Sequence, residues 1–506
     1  PDYLMTMHGM FWRFPQTFSS GNSAGIRPRS AYLKVLGDYT RWNDQLVFGS
    51  DDAARLEFLN KRKIKGSIGG AGQSNSNLWF TSLNQPDNLG PTTAEGSVWL
   101  NETVKAAEYS EPFLFAGWDR RSAWIHHTGQ QAVTITFETD IAGNGQFKPF
   151  RSVTVKPGES LEISFPGSEP GEWIRAVSNL ATTLTIQFTY TDSELRNKRP
   201  DELFKGLANI NSEKVQSGLL YPLGNNRRTL GIAAYSQTNT TKSIPEYYEL
   251  NQDMKLQPVH DPSTLKFIQD KYAIPKQVVT INESSVLVVD DAGRRWRLPL
   301  GESAFTGQTN AGLSRIAREV ATERDLLNLH GTFYELPAEN ADGFAKVRPI
   351  ASHSYQISDF ASYRGMMILT GIDPKAAVNN PQIIRSEDGK AGVWVGVIDD
   401  LWKLGKPVGK GGPWKDADVQ AGIPSDPYLI GFYDKKQVSL SHDLKESVSF
   451  LMEVEPVGHG PWMRYKEVIV APGKTVNFTF PADFQAKWIR FSTNKAARVT
   501  TWLTYQ

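Results

Sequence analysis

The stretch Val133-Thr134-Ile135-Thr136-Phe137-Glu138 alternates apolar and polar side chains with a period of two. Successive side chains of a β-strand point to opposite faces, so this pattern predicts a strand with one buried face. The stretch has a counterpart at residues 448–453, at an offset of 315 residues. The strand therefore belongs to a segment that the chain contains twice.

The duplication extends far beyond this strand. Residues 76–190 align with residues 391–505 without a gap, and residues 8–15 resemble residues 330–337. The coinciding positions include Trp79 with Trp394, Trp99 with Trp414, Pro157-Gly158 with Pro472-Gly473, and Trp173-Ile174-Arg175 with Trp488-Ile489-Arg490. So many aromatic and turn positions in register indicate an internal duplication. We place repeat A at 1–192, bridging blades at 193–322 and repeat B at 323–506.

The spacing of strand-like segments predicts an all-β fold. Short alternating runs recur every 8–12 residues, separated by turn signals such as Pro157-Gly158. The bridge contains further runs of this kind, so it does not resemble a flexible linker. We therefore predict a single β-propeller domain over 1–506, with seven blades as the favoured count. One helix is predicted over 313–327, although Arg318-Glu319-Val320 fits a strand equally well.

Composition excludes several classes of protein. The chain has 506 residues, 40% hydrophobic and 22% charged, which is typical of a folded globular protein. Its formal net charge is +1, so we expect no nucleic-acid partner. It has no cysteine, which excludes disulfides, cysteine-ligated zinc and a thiol nucleophile. No apolar run is long enough for a membrane span.

Three segments resemble a known group of proteins. They are His330-Gly331-Thr332-Phe333-Tyr334-Glu335-Leu336-Pro337, Gly37-Asp38-Tyr39 and Pro427-Tyr428-Leu429-Ile430-Gly431. These segments resemble bacterial proteins encoded in polysaccharide-utilisation clusters, which are similar to propeller lyases and glycosidases that attack uronic-acid-containing glycans. The resemblance implies a carbohydrate-active protein that binds an acidic oligosaccharide or polysaccharide. It also implies a periplasmic or secreted location. Because the sequence begins at Pro1 without an initiator Met, we expect a mature or trimmed product from which any signal peptide has been removed.

The duplication helps to select candidate catalytic residues, because an active site is expected only once. His353 stands where repeat A has Tyr32. On an alternating strand His353 and Tyr355 share a face, and could act as base and acid in β-elimination from a uronic acid. Arg348 would neutralise the substrate carboxylate. The competing interpretation is a buried His–Tyr pair satisfied by the backbone.

A glycoside hydrolase is the first alternative, and it needs two facing carboxylates. Glu335 is the favoured one because repeat A has Arg13 there. Asp52 and Asp373, and likewise Asp38 and Asp359, are repeat pairs and so fit structural roles better. The second alternative is a non-catalytic glycan-binding propeller with an aromatic platform. Arg324 and Arg27 are the other local candidates for neutralising the substrate carboxylate. The further candidate substrate-binding residues are Trp12, Tyr334 and His330.

The remaining histidines and the glycine-rich segment favour structural roles. His127 and His442 are a repeat pair, and we expect a ring nitrogen of each to cap backbone groups. His459 is expected to lie in a solvent-facing turn, and 66–72 is expected to form a mobile loop or lid. The sequence has no nucleotide-binding, zinc-protease or calcium-loop motif, so we expect no cofactor. The alternative of a single divalent metal ion held by scattered His and Asp residues stays open.

Overall fold

The computed structural model describes residues 2–51, 76–222, 229–321, 324–338, 341–376, 379–458 and 460–506. In these ranges the chain is built mainly of antiparallel β-sheets, which confirms the all-β prediction. The strands are β1 (Tyr3–Met7), β2 (Met10–Phe14), β3 (Arg27–Ala31), β4 (Val35–Trp42), β5 (Gln45–Asp51), β6 (Ser76–Ser82), β7 (Thr93–Val104), β8 (Phe113–Leu114), β9 (Arg120–His127), β10 (Val133–Asp140), β11 (Lys148–Val155), β12 (Ser160–Pro166), β13 (Trp173–Ser178), β14 (Thr182–Thr191), β15 (Val215–Pro222), β16 (Leu230–Gln237), β17 (Glu246–Leu250), β18 (Leu256–Pro258), β19 (Thr280–Ile281), β20 (Val286–Val289), β21 (Arg295–Leu298), β22 (Ala317–Ala321), β23 (Arg324–Leu329), β24 (Thr332–Leu336), β25 (Arg348–Ser352), β26 (Phe360–Tyr363), β27 (Met366–Leu369), β28 (Ile383–Arg385), β29 (Gly392–Gly396), β30 (Gly409–Val419), β31 (Tyr428–Leu429), β32 (Lys436–His442), β33 (Val448–Glu455), β34 (Met463–Val470), β35 (Val476–Thr479), β36 (Trp488–Thr493) and β37 (Ala497–Tyr505).

The helical segments are short. The α-helices described are α1 (Pro262–Lys271) and α2 (Ala304–Asn310). The 3-10 segments are Gln85–Asp87, Glu202–Phe204, Gly343–Lys346 and Ile398–Leu404. No helix in the described ranges has the length and apolarity needed to cross a membrane.

The matched part of each repeat folds as a two-layer β-sandwich. In repeat A the sheet β11-β10-β13-β8 faces the sheet β12-β9-β14-β7. Phe137 on one sheet contacts Phe165 on the other, with ring centroids 5.6 Å apart. In repeat B the sheet β30-β37-β32-β35 faces the β31-β36-β33-β34 part of a larger sheet. This region therefore differs from the propeller blades that we predicted for it.

The predicted alternation is present in these sandwiches. Ile135 and Phe137 are fully buried in β10, and their counterparts Phe450 and Met452 are fully buried in β33. Each sheet has one face in the core, so alternation is expected whether two sheets form a sandwich or several form blades. The pattern identifies strands but does not distinguish these two arrangements.

Smaller antiparallel meanders make up much of the rest of the described chain. Their strand orders are β1-β2-β3, β4-β5-β6, β15-β16-β17-β18, β22-β23-β24-β25 and β26-β27-β29-β28. The first two share a small aromatic core around Phe11 and Phe48. The sheets that contain β16 and β27 share another core around Ile232 and Ile368.

A buried ion cluster joins three of these meanders. The Asp359 side chain is fully buried just before β26, and its Oδ1 lies 2.6 Å from Arg315 Nε and 3.0 Å from Arg318 Nη1. The backbone N–H of Leu220, on β15, donates to Asp359 Oδ2 at 3.0 Å. Arg318, on β22, also donates to the Phe360 carbonyl at 2.9 Å. Asp359 therefore has a structural role. We expected such a role because Asp359 forms a repeat pair with Asp38.

One local prediction was wrong, and one helix was not predicted. The predicted helix over 313–327 is absent, because β22 and β23 occupy most of this range and pair with each other. The alternative of a strand at Arg318-Glu319-Val320 is confirmed by β22. The structure instead forms α1, where the Asp261 side chain accepts a hydrogen bond from Thr264 N at 2.9 Å and Pro262 takes the first helical turn. An Asp cap followed by Pro is a helix-start signal that the sequence contained.

The bridge is joined to the second sandwich by hydrogen bonds between strands. Strands β19-β20-β21 continue the sheet β31-β36-β33-β34, with β21 parallel to β31 at Arg297 and Tyr428. Asp426 accepts from Arg295 Nε at 2.9 Å and from Arg297 Nε at 2.8 Å. Repeat B and the end of the bridge thus form one seven-stranded sheet.

Candidate functional site

A cleft lies where both sandwiches meet the meander that contains β25. The space in it that the centre of a water molecule can reach is about 40 Å³. Its charged lining residues are Arg120, Asp192, Glu194, Arg196, Arg348 and Asp434. Clefts between structural units are common places for small-molecule sites. We therefore take this cleft, called the inter-repeat cleft below, as the candidate active site.

Two of the cleft arginines lie over one indole ring. The guanidinium carbon of Arg196 is 5.4 Å from the Trp402 ring centroid, and that of Arg348 is 5.8 Å from it. Arg196 also pairs with Glu194 at 2.7 Å and donates to the Ile350 carbonyl at 2.7 Å. Stacking and hydrogen bonding together hold the two planar groups in place.

Asp434 is a carboxylate held between cations. Its Oδ1 lies 3.1 Å from Arg120 Nη1, and its Oδ2 lies 3.0 Å from Lys406 Nζ. Burial alone would raise the pKa of Asp434, but the hydrogen bonds and charges of Lys406 and Arg120 outweigh it and lower the pKa. Asp434 is therefore ionised over a wide pH range.

Asp192 has the opposite tendency. It follows β14 directly, and its side chain accepts a hydrogen bond from the Thr92 hydroxyl. Burial raises the pKa of Asp192, and the nearby charge of Asp119 adds to the increase, whereas the Thr92 hydrogen bond opposes it. The cleft thus holds two carboxyl groups whose surroundings move their pKa values apart, as in many acid–base pairs.

The sequence prediction found only part of this site. Arg348 was selected and does line the cleft, whereas Asp192 and Asp434 were not selected. Asp434 has a repeat counterpart in Asp119, and the sequence filter favoured unpaired residues. Arg120 and Arg196 also lie beside strand ends without any motif that would mark them.

Glu335 lies beside the cleft rather than among its lining residues. It is bound by the Arg324 guanidinium on one oxygen and by Arg348 Nη2 at 2.7 Å on the other. Arg348 Nη1 also donates to the Thr93 hydroxyl at 3.1 Å. The structure thus joins Glu335, Arg324 and Arg348, which were predicted separately. Two cations hold Glu335, so it positions Arg348.

His353 and Tyr355 lie together but apart from Arg348. Strand β25 ends at Ser352, so both residues follow the strand on which we expected them. Their rings stack with centroids 6.5 Å apart. Arg348 and His353 are at opposite ends of the extended segment, about 15 Å apart along the backbone. One sugar ring does not reach both backbone positions.

The His353 ring is fully engaged in hydrogen bonds. Its Nδ1 accepts from Tyr355 N at 3.2 Å, so Nε2 carries the proton and donates to Asn328 Oδ1 at 3.1 Å. Burial lowers the pKa of His353 to about 3. These contacts fit the competing interpretation of a satisfied His–Tyr pair.

The other predicted binding residues lie in several places. Arg27 forms a two-point ion pair with Glu172, both N–O distances being 2.7 Å. Trp12 is buried and donates to the Met7 carbonyl at 3.1 Å. Tyr334 is fully buried, and its hydroxyl is 3.4 Å from that of Tyr433, a residue that lines the cleft.

His330 is buried in a different part of the molecule. Its Nδ1 accepts from Gly301 N at 2.9 Å, and its Nε2 lies 2.9 Å from the Thr306 hydroxyl. Burial lowers the pKa of His330 to about 4. It does not line the inter-repeat cleft.

The paired histidines have the structural role that was predicted. His127 Nε2 donates to the Val155 carbonyl at 3.0 Å, and His442 Nε2 donates to the Val470 carbonyl at 2.9 Å. The Nδ1 atom of each accepts a nearby backbone N–H, from Gly129 and Leu444 respectively. Asp52, 66–72 and His459 lie outside the described residues.

No group of three or more His, Asp or Glu side chains in the described ranges is arranged to hold a metal ion.

Comparisons with known proteins add little. No protein-family model matches the chain, and no curated protein matches it. Among solved structures, the PBSX exported protein XepA is 8% identical, covering 81% of this chain and 86% of its own at a TM-score of 0.16. Oxalate decarboxylase from Bacillus subtilis is 9% identical over 97% of this chain and 78% of its own, at a TM-score of 0.15. A Bacillus endospore appendage pilus structure is 17% identical over 26% of this chain and all of its own, at a TM-score of 0.15. Such scores carry no conclusion about this chain.

The buried His330 and the half-buried His353 predict a loss of stability in acid. His330 and His353 have folded-state pKa values of about 4 and about 3, below the ordinary value of 6.5. Below pH 6.5 the unfolded chain therefore takes up protons that the folded chain does not. Each histidine should remove up to about 1.4 kcal/mol of unfolding free energy per pH unit in that range.

Urea unfolding at pH 7.5 and pH 5 measures this effect. The variants His330→Gln and His353→Gln should each lose less stability between the two pH values than the unmodified protein does. His260→Gln, which changes an exposed histidine, serves as the control and should keep the full loss. An unchanged loss in both buried-site variants would contradict the prediction.

Proposed function

We propose that this protein is a carbohydrate-active enzyme that cleaves an acidic, uronic-acid-containing saccharide in the inter-repeat cleft. The observation that carries the proposal is the presence of Asp192 and Asp434 in one cleft with opposite pKa shifts. The substrate class comes from the resemblance of the sequence to glycan-degrading proteins of polysaccharide-utilisation clusters. With it we propose a periplasmic or secreted location.

The cleft lining supports a saccharide as the ligand. Arg348 presents a guanidinium held by Trp402 and Glu335, and such a group binds a carboxylate through paired hydrogen bonds. The hydroxyl-bearing residues Thr92, Thr93 and Thr191 line the same space. Hydroxyl, carboxyl and guanidinium groups together match the many hydroxyls and the single charge of a uronic acid.

Hydrolysis is the reaction that the two carboxyl groups favour. Asp192, with its raised pKa, would donate a proton to the leaving glycosidic oxygen. Asp434, which Arg120 and Lys406 keep ionised, would act as the second carboxylate, on water or on the anomeric carbon. This reaction is the hydrolase alternative of the sequence analysis. The carboxylate pair is different, since the sequence analysis favoured Glu335 as one member.

β-Elimination is the second candidate. The stacked rings of His353 and Tyr355 are the observation in its favour, since a neutral imidazole beside a phenol is a base and acid pair. It would require Nδ1 of His353 to exchange its Tyr355 backbone contact for a substrate proton. This site would lie at the far end of β25 from Arg348.

We also propose that the meander sheets are arranged as propeller blades. The sheets β15-β16-β17-β18 and β22-β23-β24-β25 each run in chain order, as the strands of a blade do. The seven-blade count stays a prediction.

A panel of acidic polysaccharides and their oligosaccharides tests the function. New reducing ends without ultraviolet absorbance from unsaturated uronates are the expected result, because hydrolysis leaves no double bond. A rise in that absorbance would replace hydrolysis with elimination. Binding without either signal would overturn the enzymatic proposal in favour of a glycan-binding protein.

A further inference from the structure

A second, larger groove lies between the bridge and the outer face of the second sandwich. The space in it that the centre of a water molecule can reach is about 510 Å³, and its lining is mainly apolar. Leu300 and His330 line it from the bridge side and from repeat B, and Trp502 lines it from β37. We call it the Trp502 groove. It shares no lining residue with the inter-repeat cleft.

Trp502 is a partly exposed aromatic side chain on a polar sheet face. Side chains of β37 alternate between buried and exposed, and Trp502 is on the exposed side between Thr500 and Thr504. The ring is not part of the sandwich core, to which Leu503 belongs. A large indole on a solvent-facing strand position offers a flat apolar surface to a ligand.

One lysine lies beside this ring, and a second lines the same groove. Lys415 Nζ lies 5.6 Å from the Trp502 ring centroid and 3.0 Å from Glu283 Oε2. Lys410 is exposed, and its backbone position is fixed by two hydrogen bonds with Leu300, at 2.8 and 3.0 Å. The Glu283 side chain is 88% exposed, so its pairing with Lys415 is weak enough for a ligand anion to compete with it.

Repeat A has none of these features at the equivalent positions. Trp502 corresponds to Gln187, which is buried and hydrogen-bonded to Ser97. Lys415 corresponds to Leu100, and Lys410 corresponds to Glu95, which pairs with Lys487 at 2.7 Å. The two sandwiches share their core pattern but differ at these outer positions. Repeat A forms the same kind of sandwich without these residues, so the sandwich fold does not require them.

We propose that the Trp502 groove is a second saccharide-binding site, which holds an acidic oligosaccharide by stacking on Trp502 and by ion pairing with Lys410 and Lys415. Sugar rings have an apolar face that packs on an indole, and a carboxylate on the next ring would lie near an ammonium group. The acidic class of the ligand rests on the proposed function. The site itself rests on the groove, and it would anchor a chain away from the cleft.

Calorimetric titration of the full-length protein with tetragalacturonate, and separately with neutral cellotetraose, tests this proposal. The titrations use the Arg348→Ala background, so that binding in the cleft is weakened and turnover is suppressed. We expect Trp502→Ala to weaken tetragalacturonate binding at least about fivefold. We expect Lys410→Ala with Lys415→Ala to weaken it further and to reduce its salt dependence.

Matched controls change similar side chains outside the groove. They are Trp42→Ala, at a ring 60% exposed on β4, and Lys474→Ala, in an exposed turn of the second sandwich. Both should bind tetragalacturonate as the background protein does. Equal binding by Trp502→Ala and the background overturns the site, and so does the absence of any binding heat. Equal affinity for cellotetraose overturns the acidic ligand class. Failure of cleavage by the unmodified protein with groove binding intact would reject the proposed function alone.

Discussion

Replacing Asp192 by Asn should lower the rate of saccharide cleavage by about 10²–10⁴-fold, the usual contribution of a general acid. The amide keeps the size of the side chain and can still accept the Thr92 hydrogen bond, but it has no proton to give to a leaving oxygen. KM should change little because Arg348 and the threonine hydroxyls remain. Steady-state kinetics on the substrate found in the panel measure both quantities.

The pH dependence of the cleavage rate tests the role of Asp192 as the general acid. Activity requires ionised Asp434 and protonated Asp192, so it should fall in acid with the lowered pKa of Asp434 and in alkali with the raised pKa of Asp192. The control is Asp119→Asn, which removes the neighbouring charge that helps to raise the pKa of Asp192. It should move the alkaline limb to lower pH while the maximum rate stays near its original value. Full activity in Asp192→Asn would remove Asp192 from the mechanism.

Asp359→Ala should be among the most destabilising substitutions in the chain. Asp359 is fully buried against Arg318, whose side chain is also fully buried, and Arg315 is bound to the same carboxylate. Removing the anion deprives the Arg315 and Arg318 guanidinium groups of the carboxylate that they share, and breaking a buried ion pair typically costs about 3–5 kcal/mol. The backbone N–H groups of Leu220 and Phe360 also lose their acceptor.

Urea or thermal unfolding measures this loss, and the duplication supplies the control. Asp38 is the repeat counterpart of Asp359, and it likewise accepts a hydrogen bond from the next backbone N–H at 2.8 Å, but it is exposed. Asp38→Ala should change the unfolding free energy by less than about 1 kcal/mol. Similar losses for the two variants would show that the ion cluster adds little to stability.

The sequence predicted strands well because the alternation of apolar and polar residues is a local pattern. Ile135 and Phe137 alternate with polar residues, and their burial in β10 follows from that alternation. Whether β10 pairs within a sandwich or a blade depends on contacts with strands far along the chain, such as that between Phe137 and Phe188. Alternation contains no information about those partners.

The candidate site was predicted in part for a related reason. Glu335 stands out because repeat A has Arg13 there, and the structure brings it together with Arg348, whose counterpart in repeat A is Arg27. Asp434 matches Asp119 in repeat A. It was therefore not selected, because the comparison of the repeats favoured residues without a counterpart. The two aspartates differ in what surrounds them, since Arg120 and Lys406 reach only Asp434. That difference depends on the packing of the two sandwiches.

The seven-stranded sheet also constrains how the chain folds during its synthesis. Its bridge strands leave the ribosome well before β31, and the ion pair between Arg295 and Asp426 spans 131 residues. Until repeat B has been translated, β21 has an exposed edge that can pair with another chain. Arg295 and Arg297 place positive charge on β21, and charged side chains on an edge strand disfavour its pairing with another chain.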